Sequence, residues 1–152
     1  YENISLALSI QDVGVKEISK RVNEIATKLG ITEVLNKYPY EMSGGQKQRV
    51  AVARAIITNP KIVLADEPTG ALDSKSSKIL LETFNYLNTK LSATILMVTH
   101  DSFAASFANR VIFIKDGRIY NEICKGNMDR KAFFDKIIDV VTLLGGDVND
   151  VL

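Results

Sequence analysis

The sequence predicts an α/β fold in which an all-helical region precedes a mostly parallel sheet. Two continuous apolar runs, residues 62–65 and 94–98, are typical of strands that are buried on both faces. Between them, apolar side chains recur at helical spacing over residues 80–91. A strand, a helix and a second strand in this order favour parallel pairing. The chain has 152 residues, which is enough for one domain with a substantial core.

The helical region lies before residue 59. Residues 1–14 show no clear period and predict no defined element. The next segment is an amphipathic helix that ends at Gly30, a residue suited to the left-handed position after a helix. Its apolar residues step by three and four, at Val15, Ile18, Val22, Ile25 and Leu29. A short helix is predicted over residues 32–37, and Tyr38-Pro39-Tyr40 breaks it.

The run Ser43-Gly44-Gly45 begins a further helix. Ser43 is a good N-cap, and the two glycines let a ligand approach the backbone closely. Residues 46–57 contain neither Gly nor Pro, and their alanines and aliphatic residues give the helix one buried side. A helix start with bare amide groups binds phosphate well. Taken alone, the run favours an ordinary capped helix, in which Lys47 and Arg49 are solvated.

Two acidic residues follow the first apolar run directly. Asp66 and Glu67 therefore lie at the carboxyl end of a predicted strand, where ligands of open α/β sheets bind. Asp66 is a candidate to hold Mg²⁺, and Glu67 is a candidate to orient or deprotonate an attacking water. Neighbours on an extended chain point to opposite sides, which permits two roles. The alternative for both is a solvated strand end.

His100 follows the second apolar run in the same way and is the only histidine. A lone histidine is more often structural, but its strand-end position makes it a candidate for the same crevice. Asp73 follows the Pro68-Thr69-Gly70 turn and is by itself a helix N-cap or turn aspartate. Zinc is not expected, because there is no second histidine and only one cysteine, Cys124.

The remaining elements follow from local signals. Ser74 is predicted to cap the helix whose apolar stripe is Leu80, Phe84, Leu87 and Leu91. Residues 101–108 predict a short helix. Asp116-Gly117 is a strong signal for a two-residue hairpin that joins strands 111–115 and 118–123. A final helix is predicted from residue 129 to about residue 141.

Composition bounds the class of protein. Hydrophobic residues make up 46% and charged residues 24%, as in ordinary globular chains. The net charge of +1 offers no electrostatic case for nucleic acid as a partner. A single cysteine excludes an internal disulfide and fits a reducing compartment. No apolar run reaches the roughly eighteen residues that a spanning helix needs. The first residue is Tyr1, which suggests a chain cut from something longer.

Four motifs, in a characteristic order, resemble the nucleotide-binding domain of ATP-binding-cassette (ABC) transporters. Residues 42–46 are similar to its signature motif, with Met42 in place of the usual leucine. Residues 62–67 are similar to the Walker B strand and the glutamate that follows it. Ala71-Leu72-Asp73 resembles the D-loop, and His100 resembles the switch histidine. The resemblance covers residues from about 3 to 123, and the tail is similar to exporters of peptide antibiotics such as bacitracin.

The resemblance implies a P-loop NTPase-like core with a helical subdomain, divided as residues 1–58, 59–123 and 124–152. It implies an ATPase that uses ATP and Mg²⁺ and pairs head to tail with a second nucleotide-binding domain. In such a pair, the signature residues would act on the nucleotide of the partner; they are Ser43, Gly44, Gly45 and Gln46. Asp66 would hold Mg²⁺, Glu67 and His100 would be catalytic, and Asp73 would couple the two sites.

The resemblance also implies a membrane permease as partner, contacted by residues from about 10 to 40. The location would be cytoplasmic, at the inner face of the cell membrane. The transported substance would be a peptide antibiotic, in export or resistance.

One part of the family's machinery is absent from the sequence. No glycine has a second glycine five positions later, and no Gly-Lys pair occurs, so the phosphate loop is missing. We therefore expect negligible ATP affinity and no turnover from these 152 residues alone. We also expect the sheet to have an open edge or an exposed apolar face, which self-pairing or swapping could cover.

Two other classes of function compete with a transporter ATPase. A chromosome-maintenance or repair ATPase shares the signature and Walker B motifs, but this chain has neither sustained heptads nor a basic face. The other alternative to the leading hypothesis is a non-catalytic interaction module, a naturally short ABC-like chain that pairs with a complete partner.

Overall fold

The computed structural model describes residues 1–146 and divides the chain into two compact units. The first unit is Tyr1–Val98, and the second begins at Thr99. The predicted tail, residues 124–152, therefore reaches beyond the described residues at positions 147–152. The division into residues 1–58, 59–123 and 124–152 stays a prediction.

The described chain opens with helices. Helix α1 is Glu2–Ile10, where the sequence predicted no element. Its buried residues are Ile4, Ser5 and Leu8, but the exposed Leu6 and Ile10 hide that period in the sequence. Helix α2 is Val15–Lys28, and Gly30 follows it with φ of +59°. The predicted helix end at this glycine is therefore confirmed.

Two single turns of 3₁₀ helix, Thr32–Val34 and Pro39–Glu41, connect α2 to α3. The first replaces the longer helix predicted over residues 32–37. The second begins at Pro39, which is tolerated at the first helical position because it has no amide hydrogen. Helix α3 is Gly44–Ile56, with Ser43 as its N-cap, as the sequence predicted.

The first strand, β1, is Ile62–Asp66, and helix α4, Ser74–Leu91, follows it. The N-cap of α4 is Asp73, whose carboxylate accepts from the amide of Ser76, so the predicted cap at Ser74 is wrong by one residue. The predicted apolar stripe is buried at Leu80, Phe84 and Leu87, but Leu91 is exposed at the helix end.

Strand β2, Thr94–Val98, pairs with β1 in parallel, as predicted. The register places Leu64 beside Leu96 and Asp66 beside Val98. The prediction that both faces of these strands are buried is wrong. Only alternate side chains point inward, and Val63 is the most buried of them. Exposed fractions on the other face are 56% for Ile62, 72% for Leu64, 58% for Leu96 and 60% for Val98. The expectation of an exposed apolar sheet face is therefore confirmed.

One hydrophobic core holds the first unit together. It joins residues from α1, α2 and α3 to residues from β1 and α4, among them Leu8, Val22, Ile56, Val63 and Leu80. Burial of side chains of this size stabilises the fold by about 1.5–3 kcal/mol each. Signature helix α3 is thus anchored against the same core as the strand that carries Asp66.

The second unit contains the predicted hairpin. Helix α5 is Ser102–Ala105, shorter than the predicted helix over residues 101–108. Strands β3, Arg110–Lys115, and β4, Arg118–Cys124, pair antiparallel around Asp116 and Gly117. Both turn residues have positive φ, 51° and 73°, as a two-residue hairpin turn of the primed type requires.

The last described helix, α6, is Arg130–Gly146 and is longer than predicted at its carboxyl end. It packs Phe133, Ile137 and Val140 against Phe113 and Ile123 of the hairpin, and these form the core of the second unit. None of the helices in residues 1–146 is long and apolar enough to cross a membrane.

Candidate functional site

The signature segment forms a tightly capped helix start. Ser43 Oγ accepts a hydrogen bond from the amide of Gln46 at 3.2 Å, and Gln46 Oε1 accepts one from the amide of Ser43 at 2.9 Å. This reciprocal pair is a capping box. The first amide groups of a helix have no partner inside it. Those of Gly44 and Gly45 therefore lack a partner inside the helix and lie at the positive end of the helix dipole, an arrangement that suits an anion.

The fold does not require glycine at either position. A Cβ built on Gly44 meets nothing within 4 Å, and one on Gly45 lies 3.5 Å from Leu72 Cδ2, an ordinary contact. Both residues lie in the first turn of α3, and neither has a positive φ. Alanine is the better helix former. The two glycines are compatible with a ligand that approaches the backbone closely, which stays a prediction.

Glu67 has an unusual backbone conformation. Its φ is +43°, in the left-handed region, so the chain leaves the extended path at this residue. This corrects the expectation that Asp66 and Glu67 form an extended pair. The amide of Glu67 donates to the Val98 carbonyl at 2.9 Å, and its carbonyl accepts from Gly70 at 3.1 Å. A non-glycine residue in this region is destabilised by about 1–2 kcal/mol, and such residues cluster at functional sites.

Asp66 is the last residue of β1 and is exposed. Its position at the carboxyl end of the parallel pair is the one predicted for a ligand crevice. Beside it, a cleft of about 230 Å³ lies between α3 and β1. The lining includes Gln48, Val52, Leu64 and Phe84.

Asp73 caps helix α4 and is exposed. Its Oδ1 accepts from the Ser76 amide at 2.9 Å, and its Oδ2 accepts from Ser76 Oγ at 2.8 Å. The Ser76 amide and hydroxyl, which both donate to the carboxylate, hold the pKa of Asp73 below its usual value. The structural role that the sequence left open for Asp73, an N-cap, is thus confirmed.

Two polar side chains of α3 reach the segment after β1. Gln48 Nε2 donates to the Pro68 carbonyl at 2.7 Å. Arg49 Nη1 donates to Ser76 Oγ, so the prediction that Arg49 is simply solvated is wrong. No sequence pattern singled out Gln48, Arg49 or Ser76 as contacts between these segments. An available signal was the spacing of Asp73 and Ser76, which is typical of an N-cap and its third helical residue.

His100 lies in the second unit, just beyond β2, and is exposed. The segment around it is ordered by local hydrogen bonds: Thr99 Oγ1 accepts from the Asp101 amide at 3.1 Å, and Asp101 caps α5. The other predicted site residues belong to the first unit. There the structure brings the signature segment next to the loop of Leu72 and Asp73.

Comparisons with known proteins identify the same family as the motifs. Residues 1–70 match the sequence profile described as ABC transporter. The bacitracin export ATP-binding protein BceA of Halalkalibacterium halodurans is 54% identical over 98% of this chain and 59% of its own length. The ABC transporter ATP-binding protein YxdL of Bacillus subtilis is 49% identical over 99% of this chain and 58% of its own length. The chain thus spans less than three fifths of these relatives.

Solved structures support the fold. A bacterial ABC transporter cassette, solved as a dimer, matches with a TM-score of 0.73 and 40% identity over 81% of this chain and 55% of that one. An ATP-binding cassette in a post-hydrolysis state with ADP and phosphate matches with a TM-score of 0.67 over 74% of this chain and 49% of that one. Together with the parallel pair of β1 and β2, these matches confirm the predicted fold class.

The relatives and the solved cassettes are ABC ATP-binding proteins, the family that the motifs at residues 42–46, 62–67 and 71–73 resemble. This chain belongs to the family of ABC transporter ATP-binding proteins.

Proposed function

We propose that this chain is part of an ATP-hydrolysing subunit of an ABC transporter, and that its signature segment closes on nucleotide held by a partner cassette. The observation that carries the proposal is the start of α3. Gly44 and Gly45 sit in a capped first turn where neither φ nor packing requires glycine. A bare, positive helix start is suited to the γ-phosphate of ATP, with the Ser43 hydroxyl as a further donor.

The residues present fit a Mg²⁺ ion that is shared with a nucleotide. Within residues 1–146, no three His, Cys, Asp or Glu side chains cluster closely enough to hold a metal ion by themselves. Mg²⁺ is commonly held by one or two carboxylates together with substrate phosphates. Asp66, exposed at the end of β1, would be the protein ligand. When bound, the ion would neutralise charge on the phosphate oxygens.

Glu67 and His100 have the proposed catalytic roles. The backbone of Glu67 is fixed at both its amide and its carbonyl, so its side chain leaves the strand end at a defined point. From there it would orient the attacking water or accept a proton from it. His100 would donate a hydrogen bond to the γ-phosphate.

The proposed partners are a second cassette, paired head to tail, and a membrane permease. The dimeric form of a solved cassette supports the first. The second is supported by the structure of CbiO1 from Clostridium perfringens, which is part of the ABC transporter complex cbiONQ. CbiO1 is 27% identical to this chain, with a TM-score of 0.71 over 89% of this chain and 53% of its own. The subunit would act in the cytoplasm, at the inner face of the membrane. The name of the H. halodurans relative supports export of a peptide antibiotic such as bacitracin.

The test uses a chimera in which this chain is completed with the part of the H. halodurans relative that it does not span. We expect the purified chimera to hydrolyse ATP and Glu67→Gln to abolish hydrolysis, by at least about 100-fold, as loss of a general base predicts. Glu24→Gln, an exposed change on α2, is the matched control and should retain activity. Hydrolysis that survives Glu67→Gln at the level of the control would contradict the proposed role of Glu67.

A non-catalytic interaction module, which pairs with a complete partner cassette, is the alternative. The same chimera separates the two possibilities. A chimera that binds ATP and dimerises, yet shows no turnover above the Glu67→Gln level, would establish the module instead.

A further inference from the structure

Two side-chain hydrogen bonds, separate from the Ser43 capping box, join helix α3 to the segment from Glu67 to Ser76. Gln48 Nε2 donates to Pro68, which directly follows Glu67. Arg49 Nη1 donates to Ser76 Oγ, and the same hydroxyl donates to Asp73 Oδ2 at 2.8 Å. We call Gln48, Arg49 and Ser76 the signature clamp.

Packing alone does not explain the arginine. Arg49 is half-buried, and within residues 1–146 its Nε atom is buried without a hydrogen-bond partner. An unpaired polar atom of a charged group is costly to bury, and a methionine would fill similar space without that cost. Arg49 therefore sits where its guanidinium serves the contact to Ser76 rather than the stability of α3. Ser76 is only 4% exposed, so this contact is shielded from water, which strengthens it.

The clamp joins the starts of two helices. Ser43 caps α3 and Asp73 caps α4, and Gly45 also lies against Leu72 in the loop between β1 and α4. Through Arg49 and Ser76, these contacts would pass a displacement of α3 to Asp73. The same displacement would reach Glu67 through Gln48 and Pro68.

We propose that Arg49 and Ser76 are positioning residues, which transmit closure of the signature segment on one nucleotide to the Glu67–Asp73 loop. The inference rests on the proposed function, because it needs two nucleotide sites in a dimer. In this proposal, neither Arg49 nor Ser76 contacts ATP. Loss of the clamp should therefore lower turnover and the cooperativity between sites, while the apparent affinity for ATP stays nearly constant.

The test measures ATP hydrolysis against ATP concentration in the completed chimera. Arg49→Met keeps the aliphatic stem and removes the guanidinium, and Ser76→Ala removes the hydroxyl. We expect each variant to lower kcat by about tenfold, with KM within about twofold and the Hill coefficient reduced toward one. The double variant should be no worse than either single one, because both interrupt one relay. Arg49→Lys, which can still donate to Ser76, should recover part of the loss.

Arg54→Met is the control, an exposed arginine on the same helix, and should leave kcat and the Hill coefficient unchanged. Amide exchange over residues 67–76 gives a second readout, and we expect faster exchange in Arg49→Met but not in Arg54→Met.

The inference is overturned if Arg49→Met and Ser76→Ala fold normally and retain kcat and cooperativity. It is also overturned if their losses add in the double variant. An unmodified chimera without hydrolysis would overturn the proposed function and this inference together. Hydrolysis that depends on Glu67 but not on Arg49 overturns the inference alone.

Discussion

Gln48 Nε2 donates a 2.7 Å hydrogen bond to the carbonyl oxygen of Pro68. This bond joins the helix that Ser43 caps to the loop that begins at Glu67. The two proposed ligand-facing segments therefore share a framework before any ligand binds. Pre-organisation of this kind lowers the conformational entropy that binding would otherwise remove, and it aligns groups for reaction.

Gly44→Ala should affect stability and ATP hydrolysis in different ways. A Cβ at Gly44 meets no neighbour, and alanine favours helix, so we expect unfolding free energy to stay level or rise by up to about 1 kcal/mol. The added methyl group would occupy the approach of the phosphate to the helix start. Hydrolysis by the completed chimera should therefore fall by at least about 100-fold, comparable with loss of a transition-state donor.

The control for this prediction is Gly145→Ala in α6, where a Cβ also meets nothing within 4 Å. Urea unfolding and ATPase assays on both variants are the measurements. If Gly44→Ala hydrolysed ATP as well as Gly145→Ala does, the ligand explanation of the signature glycines would be wrong.

Capping at the ends of helices was largely predictable from the sequence, because it depends on a few neighbouring residues. Ser43 was predicted as an N-cap and is one. The cap of α4 was misplaced by one residue, since Asp73 and Ser74 both suit the position and only the structure shows which residue adopts the extended backbone. The turn at Asp116-Gly117 was predictable because positive φ at two successive positions restricts residue type strongly.

Burial and long-range contacts were less predictable. Leu64 and Leu96 lie in apolar runs that are typical of buried strands, yet both side chains are more than half exposed. Burial depends on what else covers the sheet, which these local runs do not show. Helix α1 was missed since its exposed Leu6 and Ile10 obscure the period of its buried face. Arg49 was assigned to solvent because its partner, Ser76, is distant in sequence.

The exposed face of β1 and β2 should drive association of the chain. Ile62, Leu64, Leu96 and Val98 form a contiguous apolar patch on the two-stranded sheet that the described residues build. Such patches bind other apolar surfaces. We expect the double variant Leu64→Thr and Leu96→Thr to bind less of a dye that fluoresces on exposed apolar surface. In analytical ultracentrifugation, a larger fraction of this variant should sediment as monomer. Thr suits a strand, so stability should change by less than about 0.5 kcal/mol per site.

Val63→Ala is the opposite control for that experiment. Val63 is on the inward face of the same strand and is 6% exposed. Its truncation should lower unfolding free energy by about 2 kcal/mol without reducing dye binding. A wild-type chain that sediments as a monomer and binds no dye would show that this face is covered in solution.

Asp73 should make stability sensitive to acid. Its pKa is held below the usual value by the Ser76 amide and hydroxyl, so the unfolded chain binds the proton more tightly than the folded chain. The stabilisation is complete above the unfolded pKa, which is about 4, and is lost as pH falls through the lower folded pKa. Asp73→Ala should thus lower the urea midpoint at pH 7, and the difference from wild type should shrink below about pH 4.

Asp135→Ala, an exposed change in α6, controls for the loss of one negative charge. Urea midpoints at several pH values are the measurement. A difference between wild type and Asp73→Ala that stayed constant down to pH 2 would mean that the cap does not depend on the ionised carboxylate.

Calorimetric titration of Mg-ATP into the 152-residue chain should show no saturable heat up to millimolar nucleotide. A helix start contributes at most about 2 kcal/mol to binding of an anion, whereas a millimolar Kd requires about 4.1 kcal/mol. The Ser43 helix start alone therefore falls short, and the sequence contains no phosphate loop to supply the rest. The completed chimera should bind ATP in the same experiment. Micromolar binding by the chain alone, abolished by Ser43→Ala, would mean that this helix start is a sufficient phosphate site and that a phosphate loop is not needed here.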